Sequence, residues 1–249
     1  RVRGIIYKEK IMKKDYYLII DTETTINDKV ADFGAVVIDR QGNIQTQCGV
    51  LVSGVFGIDP LFYIANEKEK SLWSKQGKDR RFIKYNEMLE NGTRMLASVN
   101  AINLWLAQVA GQYDPILTAY NLPFDMDKCA KTGINLTMFK NSFCMWRAAF
   151  NKWGATKKYR QYVLETHSFN SPTNLGNMSY KTNAEVMTRF ILDEPDLQDE
   201  PHLALEDIVY YELPILKRLI QTTKKSVFMD PELGFDWRKV QLKNHFKAI

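Results

Sequence analysis

The stretch "YYLIIDTETTIND", residues 16–28, sets an apolar run directly against two acids, Asp21 and Glu23. Aromatic and β-branched residues dominate positions 16–20, which predicts a buried strand. Residues two apart on a strand project from the same face, so Asp21 and Glu23 point together if the strand continues that far. Adjacent carboxylates repel and raise each other's pKa unless a cation sits between them. A divalent metal is the obvious cation. A solvated turn is the plainer reading of an Asp-x-Glu at a strand end, because so short a pattern recurs by chance.

Outward from this stretch, "FGAVVI" at 33–38 predicts a second strand, and the polar "DRQGN" at 39–43 a turn into a third strand near 44–52. Short links between three strands give an antiparallel meander. From 93 to 110, Met95, Leu96, Val99, Ile102, Leu106 and Val109 recur at helical spacing, with Thr93 placed as N-cap. Segment 116–120 predicts a short buried strand, followed by a helix from Leu122 or Pro123 that carries Asp125. Near the end, "HLALEDIVYYELPILKRLIQTTKK" predicts a long helix with Leu205, Ile208, Val209, Leu213, Leu216 and Ile220 inward and a kink at Pro214. The expected architecture is α/β: a mixed sheet, meander plus parallel strands, flanked by helices. Because "MKKDYYLIIDTE" at Met12 looks like a start, residues 1–11 read as an extension ahead of a single domain, 12–249. Stretches 53–85 and 151–181 read as insertions on it.

Composition narrows the class. A chain of 249 residues with 45% hydrophobic content buries a substantial core. Lys and Arg outnumber Asp and Glu by 34 to 29, a net charge of +5 that mildly favours polyanionic partners. Cys48, Cys129 and Cys144 are odd in number and form no CxxC pair, which argues against a disulfide framework or a structural zinc site. No apolar run reaches 18 residues and the basic start carries too short an apolar stretch for a signal peptide, so a membrane partner is not expected. A reducing, cytoplasmic setting fits this usage.

Two further acids stand out. "AYNLPFDMDKC" puts Asp125 in the first turn of a helix, where an acid also simply complements the helix dipole. "HLALED" puts His202 five residues before Asp207. Taken in order, DxE, NxxFD and HxxxxD resemble the motifs of the DEDD exonuclease superfamily in its histidine-containing DEDDh branch. Its members include polymerase proofreading subunits, RNase T, oligoribonuclease and exonuclease I. "DTETT" is close to the first family motif, and "YKTNAEVMTRFIL" with "EPHLALEDIVYYELPIL" resembles the C-terminal segment, particularly of phage-encoded members. The resemblance spans about Tyr16 to Leu219. Ile26, Tyr120 and Cys129 depart from residues common in the family. The sister branch places a tyrosine four residues before the last acid, where this chain has Leu203.

The resemblance implies an RNase H-like fold. It further implies that Asp21, Glu23, Asp125 and Asp207 hold two divalent metals, that His202 is the general base, and that Thr24, Thr25, Asn121 and Phe124 meet the terminal nucleotide. Independent chemistry asks for the same arrangement. A phosphodiester repels hydroxide, and paired cations neutralise it, activate a water and stabilise the leaving oxygen. Oxygen ligands select Mg²⁺ or Mn²⁺. Imidazole, with an ordinary pKa near 6.5, accepts a proton near neutrality. Positions i and i+5 lie about 140° apart on an α-helix, so His202 belongs on the loop before it.

Basic and aromatic residues alternate at 68–84 (Lys68, Lys70, Lys75, Lys78, Arg80, Arg81, Lys84, with Trp73, Phe82 and Tyr85), a composition suited to phosphates and stacked bases. A second such stretch holds Lys152, Trp153, Lys157, Lys158, Tyr159 and Arg160. The expected activity is 3′–5′ exonucleolytic hydrolysis of single-stranded DNA to 5′-mononucleotides. An exoribonuclease and a non-catalytic nucleic-acid-binding module are the alternatives. His167 and His245 read as ordinary surface or packing histidines.

Overall fold

A computed structural model describes residues 15–62, 74–75, 78–173 and 176–242. Its centre is a six-stranded mixed sheet. β1 (Tyr16–Thr24) pairs antiparallel with β2 (Val30–Asp39), and β2 pairs antiparallel with β3 (Ile44–Val52). The short strands β4 (Met95–Ala97), β5 (Ile116–Ala119) and β6 (Ser142–Cys144) join in parallel, giving the order β4-β3-β2-β1-β5-β6. A meander extended by parallel strands on the β1 side is the RNase H-like arrangement expected from the sequence.

Alternation along β1 sorts its side chains between two cores. Leu18 and Ile20 face α2 (Val99–Tyr113) and α3 (Leu122–Thr132), through Ile102, Leu106, Val109, Leu122 and Cys129. Tyr17 and Ile19 face the opposite layer. There Met145, Ala148 and Ala149 of α4 (Met145–Ala149) meet Ile215, Leu216 and Leu219 of the C-terminal helix. A smaller cluster of Ala31, Leu51, Leu61, Tyr85, Met88 and Leu203 seats α1 (Arg80–Glu90) beside the end of β1.

Three expectations are corrected. β1 does not stop at Ile20 but runs through both acids to Thr24, with a register shift after Glu23. The helix expected over 93–110 starts only at Val99, capped by Ser98, whose Oγ accepts the Ala101 N–H at 3.2 Å. Met95 and Leu96 belong instead to edge strand β4, alongside Val50 and Leu51, and are largely exposed. Helical and strand periods coincide over so short a run, and only pairing with β3 separates them. The last helix is also interrupted: α7 (Ala204–Asp207) passes through a π-helical turn (Ile208–Glu212) into α8 (Leu213–Thr222), with Pro214 in the first turn of α8.

Residues 151–181 hold α5 (Lys157–Glu165), and Tyr159, Val163 and Tyr180 enter the larger core. Cys48, Cys129 and Cys144 are free thiols. Among the described residues no helix is long and apolar enough to cross a membrane.

Candidate metal centre

Parallel pairing brings the C-terminal ends of β1 and β5 side by side. In open α/β sheets the crevice beyond such ends is where ligands bind. β1 delivers Asp21 and Glu23 there. β5 leads through Asn121, in a left-handed turn (φ 87°), into α3 and its first-turn Asp125. The hydroxyl of Thr22, between them in sequence, donates to Asp125 Oδ1 at 2.8 Å, tying α3 to β1.

The third arm arrives from the far end of the chain. Gly34 of β2 lets α7 lie directly on the sheet: a Cβ there would stand 2.5 Å from the Ala204 carbonyl carbon and 2.6 Å from the Leu205 nitrogen. Asp32, paired with Glu23 across the strands, accepts the Ala204 N–H at 3.0 Å and the Tyr85 hydroxyl at 2.9 Å through Oδ2. Arg94 lies 3.7 Å from its other oxygen and pairs also with Glu206. This buried group fixes where α7 begins. His202 precedes the helix in a left-handed conformation (φ 54°), as the five-residue spacing requires. One such backbone strain at a loop facing acids is common at functional sites.

Ligand atoms of Glu23, His202 and Asp207 lie within 4.8 Å of one another. His202 Nδ1 is 3.8 Å from Glu23 Oε1, while Arg81 Nη1 donates to Glu23 Oε2 at 2.7 Å. Arg81 also donates to the Phe62 carbonyl at 3.1 Å. Asp125 and Asp207 are 2% and 3% exposed, and Asp207 Oδ1 has no hydrogen-bond partner among the described residues.

Burial pushes every one of these acids above the carboxylate range, and their mutual repulsion adds to it. Asp21 rises to about 7, and Asp125 and Asp207 rise well above their ordinary values. Burial likewise raises Glu23, against the opposing pull of Arg81. The His202 imidazole moves down, through desolvation and then the Arg81 charge. Its side chain is still 44% exposed, which limits the desolvation, and Arg81 acts in the same sense.

The geometry brings Glu23, His202 and Asp207 within ligand distance of one another, and the Asp21 charge acts on both Asp125 and Asp207 beside them. The expected nucleotide contacts fare differently. Thr24 and Thr25 are buried, and Thr25 Oγ1 accepts the Asn27 and Lys29 N–H groups, closing the turn after β1. Asn121 is exposed, and Phe124 is 39% exposed beneath the Lys128 ammonium, 5.0 Å from its ring centroid.

The basic stretch at 68–84 lies partly outside the described residues, as does His245. Within it, Arg81 pairs with Glu23, Tyr85 is buried on Asp32, and Phe82 packs against Phe56 with ring centroids 5.2 Å apart. Tyr159 in the second stretch is core. Arg81, Phe82 and Tyr85 turn inward because a largely buried carboxylate needs a cation beside it and the aromatic rings find apolar neighbours.

Sequence reasoning missed Arg81 as part of the site, and missed Glu200 and Glu212. Burial and then Asp21 raise Glu200 to about 8. Glu212 is raised by burial and then by Asp21 and Asp125. Nothing local in the sequence marks these two acids, since both positions depend on how α7 docks. No protein-family model matches the chain, and no curated protein matches it.

Proposed function

We propose that the chain is a metal-dependent 3′–5′ exonuclease of the DEDDh kind, acting on single-stranded nucleic acid with DNA favoured. One observation carries the reading: Glu23 from near one end of the chain, and His202 and Asp207 from near the other, present ligand atoms within 4.8 Å of one another, with Asp21 acting on both Asp125 and Asp207. The donor set fits divalent cations. Hard carboxylate oxygens dominate it, the groups are buried and mutually repelling, and Asp207 Oδ1 lacks any partner in the described structure. Oxygen-rich sites of this kind favour Mg²⁺ or Mn²⁺.

Asp21, Glu23, Asp125 and Asp207 would hold two such ions. Bound there, the ions would offset the phosphate charge and make a water nucleophilic near neutral pH. The protein's own groups supply the rest. His202, neutral at pH 7 because its pKa is depressed, accepts the proton of the attacking water. Arg81 keeps Glu23 oriented by holding one of its oxygens. Phe124 and Lys128 stand at the mouth of α3, where an aromatic face and an ammonium suit a base and a phosphate.

The test is digestion of matched 5′-labelled DNA and RNA oligomers with and without Mg²⁺. Stepwise shortening from the 3′ end that requires Mg²⁺, and is abolished in Asp21→Ala and Asp207→Ala, supports the reading. The two substrates separate a deoxyribonuclease from an exoribonuclease. Near-parental turnover in either variant would sink it.

A further inference from the structure

Glu212 lies five residues beyond Asp207. In a regular α-helix that offset places two side chains about 140° apart. Here the intervening turn is π-helical, with the Leu213 N–H reaching the Ile208 carbonyl, and its wider winding brings residues five apart closer to one side of the helix than an α-helical turn does. The rewound turn carries Glu212 toward the side of the helix on which Asp207 stands. Glu212 is 3% exposed, and Asp21 and Asp125 are the charges acting most strongly on it.

The two carboxylate oxygens of Glu212 are treated unequally. Oε1 accepts the Tyr120 N–H at 3.3 Å, at the end of β5 just before Asn121 and the helix of Asp125. Oε2 has no hydrogen-bond partner among the described residues. Leaving a buried carboxylate oxygen bare is costly. A cation shared with Asp21 and Asp125 satisfies the oxygen and offsets the repulsion.

We propose that Glu212 is a further carboxylate ligand of the cation site, delivered by the π-helical turn and outside the four-acid set. This rests on the metal-dependent reading given above. Glu212 would add one negative ligand on the side of Asp21 and Asp125, tightening the cation there and linking its binding to the β5–α3 turn through Tyr120.

Mn²⁺ binding to the intact protein, followed by electron paramagnetic resonance of the free ion, tests this without an activity readout. Glu212→Gln keeps an oxygen to accept the Tyr120 N–H and removes only the charge. Its Mn²⁺ affinity should fall by about tenfold or more, while its melting temperature without metal stays level or rises. Asp21→Asn run in parallel separates the two levels of inference. Should Asp21→Asn lose Mn²⁺ while Glu212→Gln binds as tightly as the parent, Glu212 is a structural acid and this proposal alone falls. If the parent itself binds no Mn²⁺, the metal reading falls and takes this one with it. Should the Gln variant fail to fold, Glu212→Asp keeps the charge but withdraws it, and an Mn²⁺ affinity equal to the parent's would overturn the proposal.

Discussion

Thr22 sits between two acids yet serves a third, its hydroxyl donating to Asp125 Oδ1 at 2.8 Å. At this scale the centre is a matter of which atom holds which. His202 and Arg81 both converge on Glu23, one on each oxygen. For His202→Asn we expect nearly intact binding of a 3′-terminated strand and a drop in kcat of about 10² to 10⁴. Because the imidazole pKa is shifted below its ordinary 6.5, the parent's acid limb should lie below that pH. The variant should lose that limb; a pH profile identical to the parent's would make His202 a bystander. Arg81→Met leaves Glu23 an unpaired, largely buried carboxylate. Breaking such a pair typically costs about 3–5 kcal/mol, which urea unfolding of the metal-free protein would detect. Added Mn²⁺ should recover part of the loss, since it replaces the missing positive charge.

Elements bring these atoms together through close backbone approach. Gly34 is the point where α7 rests on β2, and its neighbours there are backbone atoms of Ala204 and Leu205 that cannot swing aside. Gly34→Ala should therefore lift the start of α7, at a cost of about 1–3 kcal/mol from overpacking. Displacing α7 separates Asp207 and His202 from Glu23, so activity should fall further than stability alone accounts for. Thermal unfolding together with an exonuclease assay at a temperature where the variant is folded checks this. Full activity would show that α7 has a second way to dock. Asp32 acts on the same joint by accepting the Ala204 N–H, and Tyr85 brings α1 onto it. The strand that carries none of the four acids thus sets the position of two site residues.

For the molecule as a whole, the acid cluster is a liability without cations. Asp21, Glu23, Asp125, Glu200, Asp207 and Glu212 all have pKa values raised in the folded state, chiefly by burial. The folded chain therefore binds protons more tightly than the unfolded chain. That stability is fully present below the unfolded carboxylate pKa near 4 and is lost as pH rises through the folded values, about 7 for Asp21. The melting temperature of the metal-free protein should accordingly fall between about pH 4 and pH 7. Saturating Mg²⁺ should restore it at neutral pH by binding only the folded state. A melting temperature that rises over this range without metal, or ignores Mg²⁺ at pH 7, would contradict the account.

What the sequence determined by itself is the sheet and the candidate ligands. The apolar runs of β1, β2 and β3 declare themselves by composition, and Asp21, Glu23, Asp125, His202 and Asp207 stand in short patterns whose order is informative. Local geometry also placed His202 off the helix, because spacing along a helix is a property of the chain alone. The tertiary structure decided the rest. Whether Met95 and Leu96 were helix or strand depended on β3 as a pairing partner. Arg81 read as a phosphate contact because its neighbours in sequence are basic, yet Glu23, 58 residues away and largely buried, claims it. Glu212 was invisible because the helical period assigns it to another face, and only a turn rewound to i→i+5 bonding brings it round toward Asp207. Period and composition are local quantities; burial, pairing and charge neighbourhood are set by segments far apart in the chain.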